Sequence, residues 1–269
     1  MPVFRDQIGR RTEVPDEIRS IVSLVPSQTE LICDLGCEEA LTGITSFCVH
    51  PNHVYRSRRR VGGTKNFDSA RIAALRPDLI VCNKEENPKA PTEALAEQWP
   101  VWVSDVSDFR SAAEMIEMLG AVLGKQAEAS AMTEAIARGR LLRSPFREKK
   151  KKPSVLYMIW KDPYMAAGTD TFISAALEEI GAENVLARRG AGGLRYPRID
   201  EDDLAELNPD FIFLSSEPYP FKEKHAAEFA RYCKRGALTV NGEVFSWYGS
   251  RIMKSEDDLL RTAAYIHGS

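Results

Sequence analysis

Side chains able to do chemistry fall, in this sequence, into short polar stretches that interrupt apolar ones. Phe47, Cys48, His50 and His53 lie together; Lys84, Glu85 and Glu86 follow; then come Trp160 and Tyr164, Arg195 and Tyr196, and finally Trp247, Tyr248 and Arg251. Their chemistry is that of binding. Large rings on loops are costly to leave in water. They suit a flat ligand such as a corrin or a siderophore, because a ring buries much area with little loss of rotamer freedom. The imidazole of His50 could ligate cobalt or iron held in a chelate. Glu85 or Glu86 could complete a hard-donor set for iron. Lys84, Arg195 and Arg251 suit anionic groups of a ligand. The alternative is that the rings roof hydrophobic cores. His50-Pro51-Asn52-His53 also lacks the four-residue spacing of a helical metal pair, and a lone loop histidine is more often a surface hydrogen-bonder than a ligand.

Signatures of catalysis are missing: there is no GxSxG, no Walker loop and no HExxH. Gly190-Ala191-Gly192-Gly193 does not pass directly from a strand into a helix, so it reads as a flexible loop rather than a dinucleotide site. No intrinsic cofactor is expected. A corrinoid- or chelate-processing enzyme stays open as an alternative to a binding protein.

The elements that must position these loops follow from the apolar pattern. Ile21–Val25, Ala40–Thr45, Leu79–Cys82, Val101–Val103, Val155–Ile159, Phe211–Leu214 and Val244–Ser246 read as strands. Residues 3–14 suggest a hairpin turning at Gly9, and residues 47–65 an irregular segment. Helices are expected from a cap at Ser27 or Thr29 to Gly36, over Asp68–Leu75, Pro91–Gln98, Asp108–Leu123, Thr171–Ile180, Asp200–Leu207, His225–Cys233 and Ser255–His267. Lys125–Ser144 is rich in Ala, Glu, Gln, Arg and Leu. Its twenty residues would make a rod of roughly 30 Å at about 1.5 Å per residue, with Pro145 expected to stop it.

Of 269 residues 43% are hydrophobic and 28% charged, with a formal net charge of −3, which suits one large core or two smaller ones and gives no support for nucleic-acid binding. Five cysteines without a CxxC pair fit a reducing compartment. Met1–Arg11 has no apolar stretch of the secretory type and no window is a membrane span. The chain as written is therefore expected in the cytoplasm, or in the periplasm if a leader has been removed, as a monomer without membrane insertion.

Strands alternate with helices, the pattern of parallel α/β sheets. The two sides of the rod also repeat. Arg71-Ile-Ala-Ala-Leu-Arg-Pro-Asp-Leu-Ile-Val81 matches Asp203-Leu-Ala-Glu-Leu-Asn-Pro-Asp-Phe-Ile-Phe213, and upstream of each lies a Thr-led helix ending in Gly36 or Gly181. The expectation is two Rossmann-like α/β lobes, 1–106 and 149–269, joined by a segment 107–148 that holds a short helix and one long backbone helix. Ligands of such sheets bind beyond the carboxyl ends of the strands, so loops facing each other across a cleft would form the site.

Those residues resemble a known family. Ile21-Val-Ser-Leu-Val-Pro-Ser-Gln-Thr-Glu-Leu31, the Arg-Pro-Asp-Leu-Ile-Val block and the Asn-Pro-Asp-Phe-Ile-Phe block are similar to the helical-backbone metal receptors. These are periplasmic-binding-protein-like receptors for cobalamin and iron-siderophores, and the similarity is closest to the cobalamin (vitamin B12) branch. The resemblance implies a non-catalytic substrate-binding protein for cobalamin or another corrinoid, with a ferric-siderophore or other iron chelate as the alternative. It places Phe47, Trp160, Trp247 and Tyr248 where the family has ligand-facing aromatics. Tyr196 stands where a tryptophan is expected. Thr64, followed by Lys65, stands where another stacking tryptophan is expected, so that ring is missing. Transporting members present one acid per lobe to an ABC permease. Asp202 fills that place in the C-terminal lobe, whereas Ser69-Ala70-Arg71 occupies it in the N-terminal lobe.

Overall fold

The structure is a computed structural model that describes residues 1–189 and 194–268. The glycine-rich string Gly190–Gly193 lies outside the described residues. The chain divides into two compact units. The first comprises Met1–Val106, Arg110–Ala135 and Tyr248–Arg251; the second comprises Ser107–Phe109, Ile136–Trp247 and the residues from Ile252 onward.

The first unit opens with an antiparallel hairpin, β1 (Val3–Arg5) and β2 (Arg11–Glu13), with Gly9 at φ +85° in its turn. There follow β3 (Ile21–Ser23), α1 (Pro26–Asp34), β4 (Leu41–Ile44), α2 (Asn52–Ser57), β5 (Arg59–Arg60), α3 (Ser69–Ala74), β6 (Leu79–Asn83), α4 (Lys89–Ala96) and β7 (Val101–Ser104). The last five strands form a parallel sheet in the order β5-β4-β3-β6-β7. β3 and β6 are buried on both faces, as their Val and Ile content requires in a sheet covered on both sides. Val22, Leu24, Ile72, Ile80, Leu95 and Val101 form one of its cores.

α5 (Phe109–Val122) and α6 (Gln126–Arg147) are joined through Gly124, whose φ of +67° suits a residue without a Cβ. α6 belongs to the first unit up to Ala135 and to the second from Ile136. The second unit continues with β8 (Ser154–Trp160), β9 (Met165–Ala166), α7 (Phe172–Glu179), β10 (Glu183–Asn184), α8 (Glu201–Leu207), β11 (Phe211–Ser215), α9 (Glu223–Phe229), β12 (Gly236–Val240), α10 (Gly242–Ser246), α11 (Arg251–Lys254) and α12 (Glu256–Gly268). Its parallel order is β10-β8-β11-β12, with β9 antiparallel to β8. The repeat seen in sequence is thus a repeat of topology: β4-β3-β6-β7 and β10-β8-β11-β12 are laid down in the same order. Among the described residues no helix is long and apolar enough to cross a membrane.

The repeated Pro-Asp has a structural purpose. The Asp78 carboxylate accepts the N–H groups of Arg19 and Ser20, just ahead of β3. The Asp210 carboxylate accepts the N–H and hydroxyl of Ser154, the first residue of β8. Each aspartate therefore clasps the amino end of its own strand to the amino end of the neighbouring one. The residues before the two prolines, Arg76 (φ 45°) and Asn208 (φ 37°), are the described non-glycine residues with positive φ. That conformation ends the helix and turns the chain into the proline.

Several expectations are corrected. α1 starts at Pro26, not at a Ser27 or Thr29 cap, because a proline in the first turn is pre-set for helix and its missing N–H has no partner to lose. α6 runs two residues past Pro145. The carbonyl of Leu141, deprived of the proline N–H, accepts the Ser144 hydroxyl at 2.8 Å instead. The segment read as irregular contains α2 and β5. Val244–Ser246 is not a strand but part of α10. Asn241 caps that helix, and Gly242 packs so close that a Cβ would stand 2.5 Å from Ser215 Oγ and from Glu217 Cγ.

In the second unit Arg140, Arg143 and Arg147 lie on one face of α6 and converge on Glu179 of α7, at 2.8, 3.3 and 3.3 Å. Arg143, wholly buried, also pairs with Glu256 at the start of α12.

Candidate functional site

In a doubly wound sheet, ligands settle outside the carboxyl ends of the strands, where the strand order reverses. That point lies between β3 and β6 in the first unit and between β8 and β11 in the second. The sequence-predicted residues collect at these carboxyl ends.

In the first unit, Asn83 closes β6 and its side-chain carbonyl accepts the N–H groups of Glu85 (2.8 Å) and Glu86 (3.0 Å). The turn so formed holds both carboxylates half-buried at the rim. Lys65 donates to the Glu85 carbonyl. The Thr64 carbonyl accepts Asn87 Nδ2 at 2.9 Å, which ties the segment after β5 to the loop after β6. Phe47 is 60% exposed. Beneath lies a buried polar layer in which Gln28 Nε2 and Asn83 Nδ2 both donate to Ser104 Oγ. Tyr248 packs into this layer. Burial, reinforced by the negative charge of Glu86, pushes its pKa well above the ordinary value. Arg251 donates Nε–H to Glu30 Oε2 at 2.9 Å.

In the second unit, Trp160 closes β8, is 38% exposed and meets Tyr219 edge-on at 5.8 Å. Its indole N–H donates to the Asp162 carbonyl at 3.1 Å. Lys161 pairs with Glu228 at 2.6 Å, and Tyr164 donates to the same carboxylate at 3.3 Å. The hydrogen bond from Lys161 holds Glu228 below the usual carboxylate range. Arg195 pairs with Asp170 at 3.3 Å, and Tyr196 is half-buried beside it in sequence. Trp247 is nearly buried, its indole N–H donating to Glu217 Oε1 at 2.7 Å.

Three expectations change here. Cys48 is not at the surface. It is wholly buried between Thr29 and Thr45, whose hydroxyls lie 3.1 Å from its sulfur, and burial pushes its thiol up to about 11. Arg251 is committed to Glu30, which sequence reasoning passed over. Trp247 and Tyr248 are packed inward rather than displayed. His50 is half-buried, and among the described residues no group of three or more His, Cys, Asp or Glu side chains could hold a metal ion. His53 is bonded to Glu38 at 2.8 Å. Glu217, Tyr219 and Glu228 were also missed. The run Glu217-Pro-Tyr-Pro directly after a strand was the available signal, since two prolines fix a loop that must hold a shape. A hollow of about 430 Å³ in the first unit, lined by Phe4, Ile18, Ile21, Cys37, Val122 and Lys125, opens at the amino end of β3 and is not part of this arrangement.

The model of one family, described as periplasmic binding protein, matches residues 21–231. The chain belongs to the periplasmic binding protein family. Among similar members are a vitamin B12-binding protein of Pectobacterium carotovorum, 24% identical over 87% of this chain and 84% of that protein, and an ABC transporter substrate-binding lipoprotein of Bacillus subtilis, 24% identical over 77% and 67%. Solved structures agree on the fold. The periplasmic vitamin B12 binding protein of Vibrio cholerae superposes with a TM-score of 0.79 at 16% identity, covering 95% of this chain and all of the other. A periplasmic heme-binding protein of Roseiflexus gives 0.78 at 17%, covering 92% and 98%. As a family member the chain has two α/β units whose carboxyl-end loops differ while their strand order repeats.

Proposed function

We propose that this chain is a non-catalytic binding protein for a metal-containing macrocycle, cobalamin or another corrinoid, taken up by the carboxyl-end loops. The observation that carries the reading is the placement of Phe47 and Trp160, two exposed aromatics, at the carboxyl ends of equivalent sheets. The similarity to vitamin B12-binding proteins over most of both chains supports it. An iron chelate such as heme is the second reading, because the heme-binding neighbour superposes almost as well as the B12-binding one.

Family membership supports the periplasmic side of the two locations left open by the sequence, and supports an ABC importer as partner. The permease contact is altered in this chain. α8 opens with Glu201, Asp202 and Asp203, whereas α3 opens with Ser69, Ala70 and Arg71. A partner that meets α8 with cations therefore meets at α3 an ion pair, Arg71 with the capping Asp68 at 3.1 Å.

Titration with cyanocobalamin and with hemin, read by visible absorption and thermal shift, tests the ligand. Saturable binding of cyanocobalamin with a raised melting temperature is expected. Binding of hemin alone favours the second reading, and no response to either removes both.

A further inference from the structure

Both tryptophans at the carboxyl end of the second unit have their polar edge consumed by the protein: Trp160 by the Asp162 carbonyl, Trp247 by Glu217. The second bond is the more constructed. Glu217 Oε1 accepts the Trp247 indole N–H at 2.7 Å and the Ser246 hydroxyl at 3.0 Å. Behind it the Tyr157 hydroxyl donates to Ser215 Oγ at 3.2 Å, and Ser215 Oγ in turn donates to the Glu217 carbonyl at 2.5 Å. Gly242 leaves room for Ser215 and Glu217 at the start of α10, and its N–H donates to Ser216 Oγ at 2.9 Å. One carboxylate thus clamps the loop after β11 to the helix after β12.

We propose that Glu217 is the positioning residue of the ligand-facing end of the second unit. This rests on the ligand reading above and deepens it. With their N–H groups tied to the protein, Trp160, 38% exposed, and the narrow edge of Trp247 that packing leaves open, 7% exposed, can meet a ligand only through ring carbon atoms. The recognised ligand therefore offers these residues a broad conjugated or aliphatic face, not a hydrogen-bond acceptor. A macrocycle does so; a small oxyanion does not. Because Glu217 fixes the turn before any ligand arrives, its value is pre-organisation, which lowers the cost of binding without adding a contact.

Cyanocobalamin titrations of four variants test this: Glu217→Ala, Glu217→Gln, Trp247→Ala and the double variant Glu217→Ala/Trp247→Ala. Losing a hydrogen bond to a charged group gives about a tenfold weaker Kd for Glu217→Ala. Glu217→Gln keeps an acceptor oxygen and stays within about twofold. If Glu217 acts through Trp247, the double variant is no weaker than Trp247→Ala. In the ligand-free protein the Trp247 indole N–H proton resonance should move upfield in Glu217→Ala and stay in place in Glu217→Gln, which reads the clamp even where affinity is lost to partial unfolding. Equal affinity in Glu217→Ala, strictly additive losses, or an unmoved indole resonance overturns the inference alone. If the unaltered protein binds neither cyanocobalamin nor hemin, the ligand reading has failed and takes the inference with it.

Discussion

Replacing Arg251 by alanine separates a ligand role from a structural one. The guanidinium meets Glu30 at 2.9 Å, and the two side chains are 16% and 4% exposed. Removing one partner of a buried pair costs about 3–5 kcal/mol, because the survivor is left charged and dry. Here the survivor is the more deeply buried partner, on α1, and the pair has one partly hydrated member, so we take the lower end, about 3 kcal/mol. Replacing both groups by neutral ones, Glu30→Gln with Arg251→Met, should recover most of that loss. Arg56→Ala, which breaks no ion pair, should cost under about 0.5 kcal/mol. Urea unfolding of the four proteins measures these differences as shifts of the midpoint at constant slope. At urea-free conditions, where Arg251→Ala is still folded, its affinity for cyanocobalamin should lie within about twofold of the unaltered protein, since a lost charge-assisted bond to ligand would cost about tenfold or more. A deficit below about 1 kcal/mol together with a large loss of affinity would refute the assignment and return Arg251 to the ligand.

Further expectations follow the same physics. Glu179→Ala strips three arginines of α6 of their shared carboxylate. Arg140 and Arg147 are exposed enough to hydrate, and the buried Arg143 keeps Glu256 but loses one charge-assisted bond, so calorimetry should show a loss of about 1.5–3 kcal/mol. Arg76→Gly should raise stability by about 1 kcal/mol in urea unfolding, because glycine occupies φ near +45° without the Cβ clash. Burial holds His267 below its ordinary 6.5, against the pull of the Ile180 carbonyl. Its unfolded form therefore takes up the proton first, and the stability present above about 6.5 is lost as pH falls toward the folded value. Melting temperatures should drop between pH 7.5 and pH 5, and drop less in His267→Gln.

Much of the architecture was legible because it is written in local rules. The Pro-Asp repeat announced paired sheets, and Asp78 and Asp210 show why that dipeptide recurs: each ties two strand starts together. What could not be read depends on which individual polar groups and close approaches the folded chain makes, near or far in sequence. Val244–Ser246 has the apolar look of a strand, but Asn241 caps a helix there and Gly242 lets it start close against Ser215 and Glu217. Pro145 looks like a stop, and only the Ser144 hydroxyl lets the helix pass. At the candidate site, residue types pointed to loops that do lie at the carboxyl ends of strands, but not to the direction of each side chain. Cys48 turns inward because two threonine hydroxyls flank its sulfur, and Arg251 finds a carboxylate far away in sequence.

The two units repeat at one end of their sheets and diverge at the other, and the reason is physical. Strand starts carry the same task in both halves, to hold parallel neighbours in register, and the same aspartate does it twice. The carboxyl ends have no such shared task. In the first unit Asn83 spends its carbonyl on two backbone N–H groups and leaves Glu85 and Glu86 at the rim, over a buried layer of hydroxyls and amides. In the second, Glu217 spends its carboxylate on a tryptophan and a serine and leaves ring surface. One end thus offers half-buried carboxylates, the other an indole and a phenol, Trp160 and Tyr164, with their polar edges satisfied.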